Sequence, residues 1–137
     1  MRIRAVAVAI AALALIVAGC GQTGGSSAPE FKGAEKAVAD VVADLQTAGS
    51  RKKPEDICDK LVTPALKEQI AEDGSDCQEE MKKAVEDADA FELEVTDVTI
   101  SGSTATAKVK NVQRGEDTQR TFELALADGD WRISSFG

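Results

Sequence analysis

The chain has 137 residues, with 24 acidic side chains against 16 basic ones and a net charge of −8. That length allows one domain with a modest core, and the negative balance argues against nucleic acid or an anionic membrane surface as a partner, both being polyanions. His and Tyr are absent, which removes the commonest general base, the switch near pH 7 and the usual phenolic oxyanion donor.

Residues 1–20 have the make-up of an export signal. Arg2 and Arg4 give a short positive start, and Ala5 to Ala18 is an unbroken run of Ala, Val, Ile and Leu. A charged start, an apolar run of this length and small residues before a cut site describe secretion rather than a spanning helix. The ending Val17-Ala18-Gly19-Cys20 resembles the lipobox of bacterial lipoprotein signal peptides. The resemblance implies loss of residues 1–19, a diacylglyceryl thioether on Cys20, and anchoring to the extracytoplasmic face of the cell membrane. An ordinary signal peptide with a chance Cys and an uncleaved anchor are the alternatives. Processing would remove Arg2 and Arg4 but no acidic residue, taking the net charge from −8 to about −10.

Residues 20–30 then read as a lipidated flexible tether, since Gly21 to Pro29 is rich in Gly, Ser and Thr. Residues 31–137 read as a single α+β domain. Phe31, Ala34, Val38, Val41, Val42 and Leu45 recur in steps that define one helix face, running to about Ala48 with Gly49 as its stop. Ser50-Arg51-Lys52-Lys53 reads as a solvated basic turn. Pro54 suits a first helical turn, Glu55 and Asp56 complement the helix dipole, and Ile57, Cys58, Leu61 and Val62 form a buried side. Thr63-Pro64 reads as a fresh cap that breaks or kinks this second helix. Leu66 and Ile70 continue the stripe until Gly74. Ser75-Asp76-Cys77-Gln78 fits a capping box opening a third helix, with Cys77, Met81, Ala84 and Val85 inward.

With Cys20 assigned to lipid, Cys58 and Cys77 form an even pair, which an oxidising extracytoplasmic space favours as a disulfide. A metal or redox pair is the alternative, opposed by the lack of any Cys-x-x-Cys spacing and of any His.

After Ala88 the apolar period changes from helical to alternating. Phe91, Leu93 and Val95 are odd-numbered, whereas Val98 and Ile100 are even, so a bulge or bend is predicted near Thr96-Asp97. Ser101-Gly102-Ser103 turns into a second strand with Ala105, Ala107 and Val109 inward. Arg114-Gly115-Glu116-Asp117 turns into a third with Phe122, Leu124 and Leu126 inward. Asp128-Gly129-Asp130 leads into the last strand, Trp131 to Phe136. Short connections predict an antiparallel meander.

Three N-terminal helices followed by four strands that end in Asp128-Gly129-Asp130-Trp131-Arg132-Ile133 resemble the nuclear transport factor 2-like superfamily, over roughly Lys32 to Phe136. Within it, the chain is similar to small secreted lipoproteins of high-GC Gram-positive bacteria, which pair a Cys on the second helix with a later Cys. The resemblance implies a cone, with a curved four-stranded antiparallel sheet wrapped around the helices. It implies no activity, because the fold hosts isomerases, dehydratases, epoxide hydrolases and non-catalytic domains alike. The isomerase and dehydratase members rely on Tyr or His beside a pocket Asp, and neither can be matched here.

No catalytic residue, cofactor site or metal site is therefore assigned. Glu72-Asp73-Gly74-Ser75-Asp76 and Glu86-Asp87-Ala88-Asp89 carry oxygen ligands suited to calcium, but solvated helix ends explain both runs better. Asp97, at the predicted phase slip, and Trp131 are the weak pocket candidates. Asp97 is more simply a solvent-facing turn residue, and Trp131 more simply part of the core. The expected function is non-catalytic binding of an envelope protein or a small ligand. A pocket carrying a small apolar molecule is the alternative, and a carboxylate-based enzyme ranks last.

Overall fold

The computed structural model describes residues 29–71, 74–87, 92–113 and 116–137. The predicted signal peptide, Cys20 and most of the tether lie outside the described residues, as do Phe91, Glu72, Asp73 and Asp89.

The first helix, α1 (Gly33–Ser50), buries Val38, Val42, Leu45 and Ala48; of the predicted stripe Phe31 and Val41 are half-buried and Ala34 is exposed. It does not stop at Gly49, which lies inside the helix and is buried. Lys52 instead takes the left-handed backbone, with φ 53°. The Lys53 N–H then donates to the Ala48 carbonyl at 2.9 Å and the Lys52 N–H to the Gly49 carbonyl at 3.0 Å. This crossed pair satisfies two carbonyls that the helix end leaves open.

Pro54 opens α2 (Pro54–Asp56), which widens into a π turn over Ile57–Leu61, closed by the Val62 N–H on the Ile57 carbonyl at 3.2 Å. Ile57, Cys58, Leu61 and Val62 are all buried. The break falls where Thr63-Pro64 predicts it. Thr63 is the N-cap of α3 (Pro64–Ile70), its Oγ1 accepting from the Leu66 N–H at 3.2 Å. The last helix, α4 (Cys77–Glu86), is capped one residue later than expected: Asp76, not Ser75, accepts from the Glu79 N–H at 2.8 Å. The capping spacing recurs as Asp76 to Glu79, and a carboxylate there also faces the positive helix end. Cys77 and Val85 point inward and Met81 is half-buried, but Ala84 is exposed, contrary to expectation. Cys58 and Cys77 are joined by a disulfide, with Cα atoms 6.1 Å apart, which ties the π turn to the start of α4.

Four strands, β1 (Glu92–Ser101), β2 (Thr104–Gln113), β3 (Glu116–Ala127) and β4 (Asp130–Phe136), form an antiparallel sheet in sequence order. The β1–β2 register shifts between Val95 and Asp97. Leu93 and Val95 before that bulge, and Val98 and Ile100 after it, therefore all reach the core. A second shift, unforeseen, separates Glu123↔Ser135 from Leu124↔Ile133, so Ile133 and Phe136 share the inner face despite opposite parity. The β3–β4 loop is two residues, Asp128 and Gly129, both with positive φ, the backbone that a tight hairpin requires. Ala105, Ala107, Val109, Phe122 and Leu124 are buried under the helices. Leu126, expected inside, is 42% exposed. It pairs with Trp131 one residue pair from the hairpin loop. β4 is held to the helices through a parallel bridge from Val62 to Ile133 and a 2.8 Å bond from the Thr63 N–H to the Ile133 carbonyl. Among the described residues no helix is long and apolar enough to cross a membrane.

Candidate functional site

The concave face of the sheet and the helices leave an inner cavity of about 250 Å³ that is open to solvent on one side. Leu45 reaches it from α1, Ile57 from the π turn, and Met81, Ala84 and Val85 from α4. The sheet contributes Leu93, Val109, Asn111, Arg120, Phe122 and Phe136. These positions follow from the alternation of the strands: Asn111 is in phase with Ala105, Ala107 and Val109, and Arg120 with Phe122 and Leu124. Phe122 and Phe136 meet edge to face with ring centres 5.4 Å apart, a favoured aromatic geometry that fixes that wall. Gln46 of α1 accepts the Leu93 N–H at 3.1 Å and holds the start of β1 against the helix.

Nine of the eleven lining residues are apolar. Among the described residues the lining carries no carboxylate, hydroxyl or thiol, so these side chains offer neither a nucleophile nor a general acid or base of ordinary kind. Asn111 Oδ1 is buried with no hydrogen-bond partner among the described residues. Leaving such an acceptor unpaired costs about 1–3 kcal/mol. Arg120 forms no ion pair among the described residues.

A second, outer cleft of about 510 Å³ runs between α1, α2 with its π turn, and the β3–β4 hairpin. Trp131 lines it, half-buried, beside Asp40, Asp44, Arg51, Lys53, Asp56 and Lys60. Much of this charge is already spoken for: Asp40 pairs with Lys36 at 2.6 Å and Asp56 with Lys60 at 2.7 Å. The hydrogen bond from Lys60 holds the Asp56 carboxyl below the ordinary Asp range, and the same bond raises the Lys60 ammonium. Lys83 likewise lowers Glu80, and Asp117 raises Lys110. These shifts come from solvated surface pairs, a structural cause that implies no catalytic poise.

The two candidates from the sequence are not brought together. Asp97 faces solvent on the outer side of the sheet, 3.5 Å from Lys108, and lines neither cavity. The bulge is real, but its extra residue is Thr96, which carries the phase change and leaves Asp97 on the outer face. Trp131 packs partly against the core and lines the outer cleft, not the inner one. The residues that strand parity could have found are Asn111 and Arg120. Among the described residues no group of three acidic or thiol side chains is placed to hold a metal ion.

No family model matches the chain, and no curated protein matches it. Solved structures do. The fold is similar to a SEC-C motif containing protein from Rhodopseudomonas palustris, 19% identical, with 71% of this chain and 74% of that one covered and a TM-score of 0.55. It is similar to a de novo designed NTF2 fold protein, 13% identical, with 78% and 87% covered and a TM-score of 0.53. It is also similar to an NTF2-like protein of unknown function from Silicibacter pomeroyi, 18% identical, with 74% and 90% covered and a TM-score of 0.53. The chain thus has an α+β, NTF2-like fold, and at these identities the likeness concerns the fold alone.

Proposed function

We propose that the chain is a non-catalytic binding domain, anchored through lipid on Cys20 to the extracytoplasmic face of the cell membrane, whose inner cavity takes a small, mainly apolar molecule. The cavity carries this reading: about 250 Å³ in volume, it is walled, among the described residues, by nine apolar side chains with an amide and a guanidinium as polar groups. Ligand sites are concave and mostly apolar, with a few polar groups that orient the ligand. The volume lies below the roughly 300–1,000 Å³ of sites for drug-sized molecules, so the ligand is correspondingly small. The Val17-Ala18-Gly19-Cys20 ending supports the anchor. Docking of another envelope protein is the second reading, favoured by Trp131 in the outer cleft, because a half-buried aromatic is a common interface anchor.

The test is a titration of the purified chain with 1-octanol, followed by methyl NMR. Saturable shifts are expected at Leu45, Val85 and Val109, which line the cavity, and not at Val62, which is buried elsewhere. Absence of saturable shifts up to the solubility limit of the probe overturns the ligand-binding reading.

A further inference from the structure

The two polar residues of the inner cavity stand side by side on one face of the sheet. Asn111 is opposite Thr118 and Arg120 opposite Val109, which makes Asn111 and Arg120 diagonal neighbours on adjacent strands, within reach of a long side chain. Cations on the outer face have carboxylate partners: Lys108 with Asp97 at 3.5 Å and Lys110 with Asp117 at 2.7 Å. Arg120 stands on the inner face and has no ion pair among the described residues, in a chain with 24 carboxylates to choose from. Beside it the Asn111 Oδ1 is buried without a partner among the described residues. An amide that is not committed to a neighbour can present either its NH₂ or its oxygen by rotating about its last torsion.

A guanidinium fork matches a carboxylate with two parallel N–H bonds, and because Arg120 is exposed it is this geometry rather than burial that supplies the preference. Resting on the ligand-binding reading above, we propose that the cavity is selective for a small apolar carboxylic acid. Its carboxylate lies between Arg120 and the Asn111 amide, and its hydrocarbon end packs on Met81, Val85 and the Phe122–Phe136 pair. A cavity of about 150 Å³ accepts a single benzene ring, so about 250 Å³ suits one medium alkyl chain or one substituted ring and is too small for a two-chain lipid.

The experiment compares octanoate with 1-octanol, which has the same chain without the charge, by calorimetry on the purified chain and on its Arg120→Met and Arg120→Lys variants. Arg120 is exposed, so both variants are expected to keep the amide spectrum of the parent. The parent is expected to bind octanoate at least about tenfold more tightly than 1-octanol, the margin of one good charge-assisted contact. Arg120→Met is expected to bring the octanoate-to-octanol affinity ratio to about one, and Arg120→Lys, which keeps charge without the fork, to retain part of the preference. Equal affinities in the parent, or a preference that survives Arg120→Met, overturn the carboxylate assignment and leave the cavity as a neutral apolar site. Binding of neither compound overturns both this inference and the ligand-binding reading beneath it.

Discussion

Ile133 shows how much a single position carries in this fold. Its side chain is fully buried, its carbonyl accepts the Thr63 N–H at 2.8 Å, and Val62 bridges to it in parallel. The same residue therefore packs the core and joins β4 to the broken second helix. Truncating a fully buried Ile removes its transfer energy and leaves a cavity that neighbours fill only in part. Ile133→Ala is expected to cost about 2–5 kcal/mol, whereas Leu126→Ala, at a site 42% exposed, should stay within about 0.5 kcal/mol. Urea unfolding of the two variants against the parent measures both. Equal losses would show that Leu126 is as buried as its parity suggests and that the helix layer extends further along the sheet.

At the scale of elements, the disulfide and the two bulges decide which faces meet. The Cys58–Cys77 bond closes a loop across a sequence separation of 19 residues and holds the π turn on α4, the two elements that bring Ile57, Met81 and Val85 to the inner cavity. Cys58→Ala with Cys77→Ala is expected to cost about 2–4 kcal/mol, mainly by freeing the unfolded chain. The denaturation midpoint should fall accordingly, and both thiols of the parent should resist alkylation until reduced. The helices, the break at Thr63-Pro64 and the bulge at Thr96 were legible because each changes a period that the residues themselves display. The second bulge shows the same change of parity, from Ile133 to Phe136 across Ser134 and Ser135, but only one apolar residue follows it, whereas Val98 and Ile100 both mark the first. Gly49 misled for a related reason: glycine is the usual helix stop, but here the left-handed position falls on Lys52. Of the site, the apolar walls could be read from the alternation of β2 and β3. Asn111 and Arg120 share that alternation, but a polar residue in an alternating strand carries no signal that separates a pocket lining from a solvated position.

At the scale of the whole molecule, the proposed lipid anchor has to be weighed against the charge of the domain. With a net charge of −8, or about −10 after loss of Arg2 and Arg4, it is repelled by anionic lipid rather than drawn to it. No helix among the described residues is long and apolar enough to cross a bilayer. In the proposed arrangement attachment rests on the lipid at Cys20, and the two chains of a diacylglyceryl group give the stable anchoring that a single acyl chain does not. Cys20→Ser removes the sulfur that would carry the thioether. The variant is expected to incorporate no labelled palmitate and either to remain as membrane-bound precursor or to appear in the soluble fraction. Its Cys58–Cys77 bond should form as in the parent, because both sulfurs sit between the π turn and α4, and intact mass with and without reduction checks this. Loss of label with the disulfide intact separates an anchoring defect from a folding defect. Continued labelling of Cys20→Ser would falsify the lipid assignment.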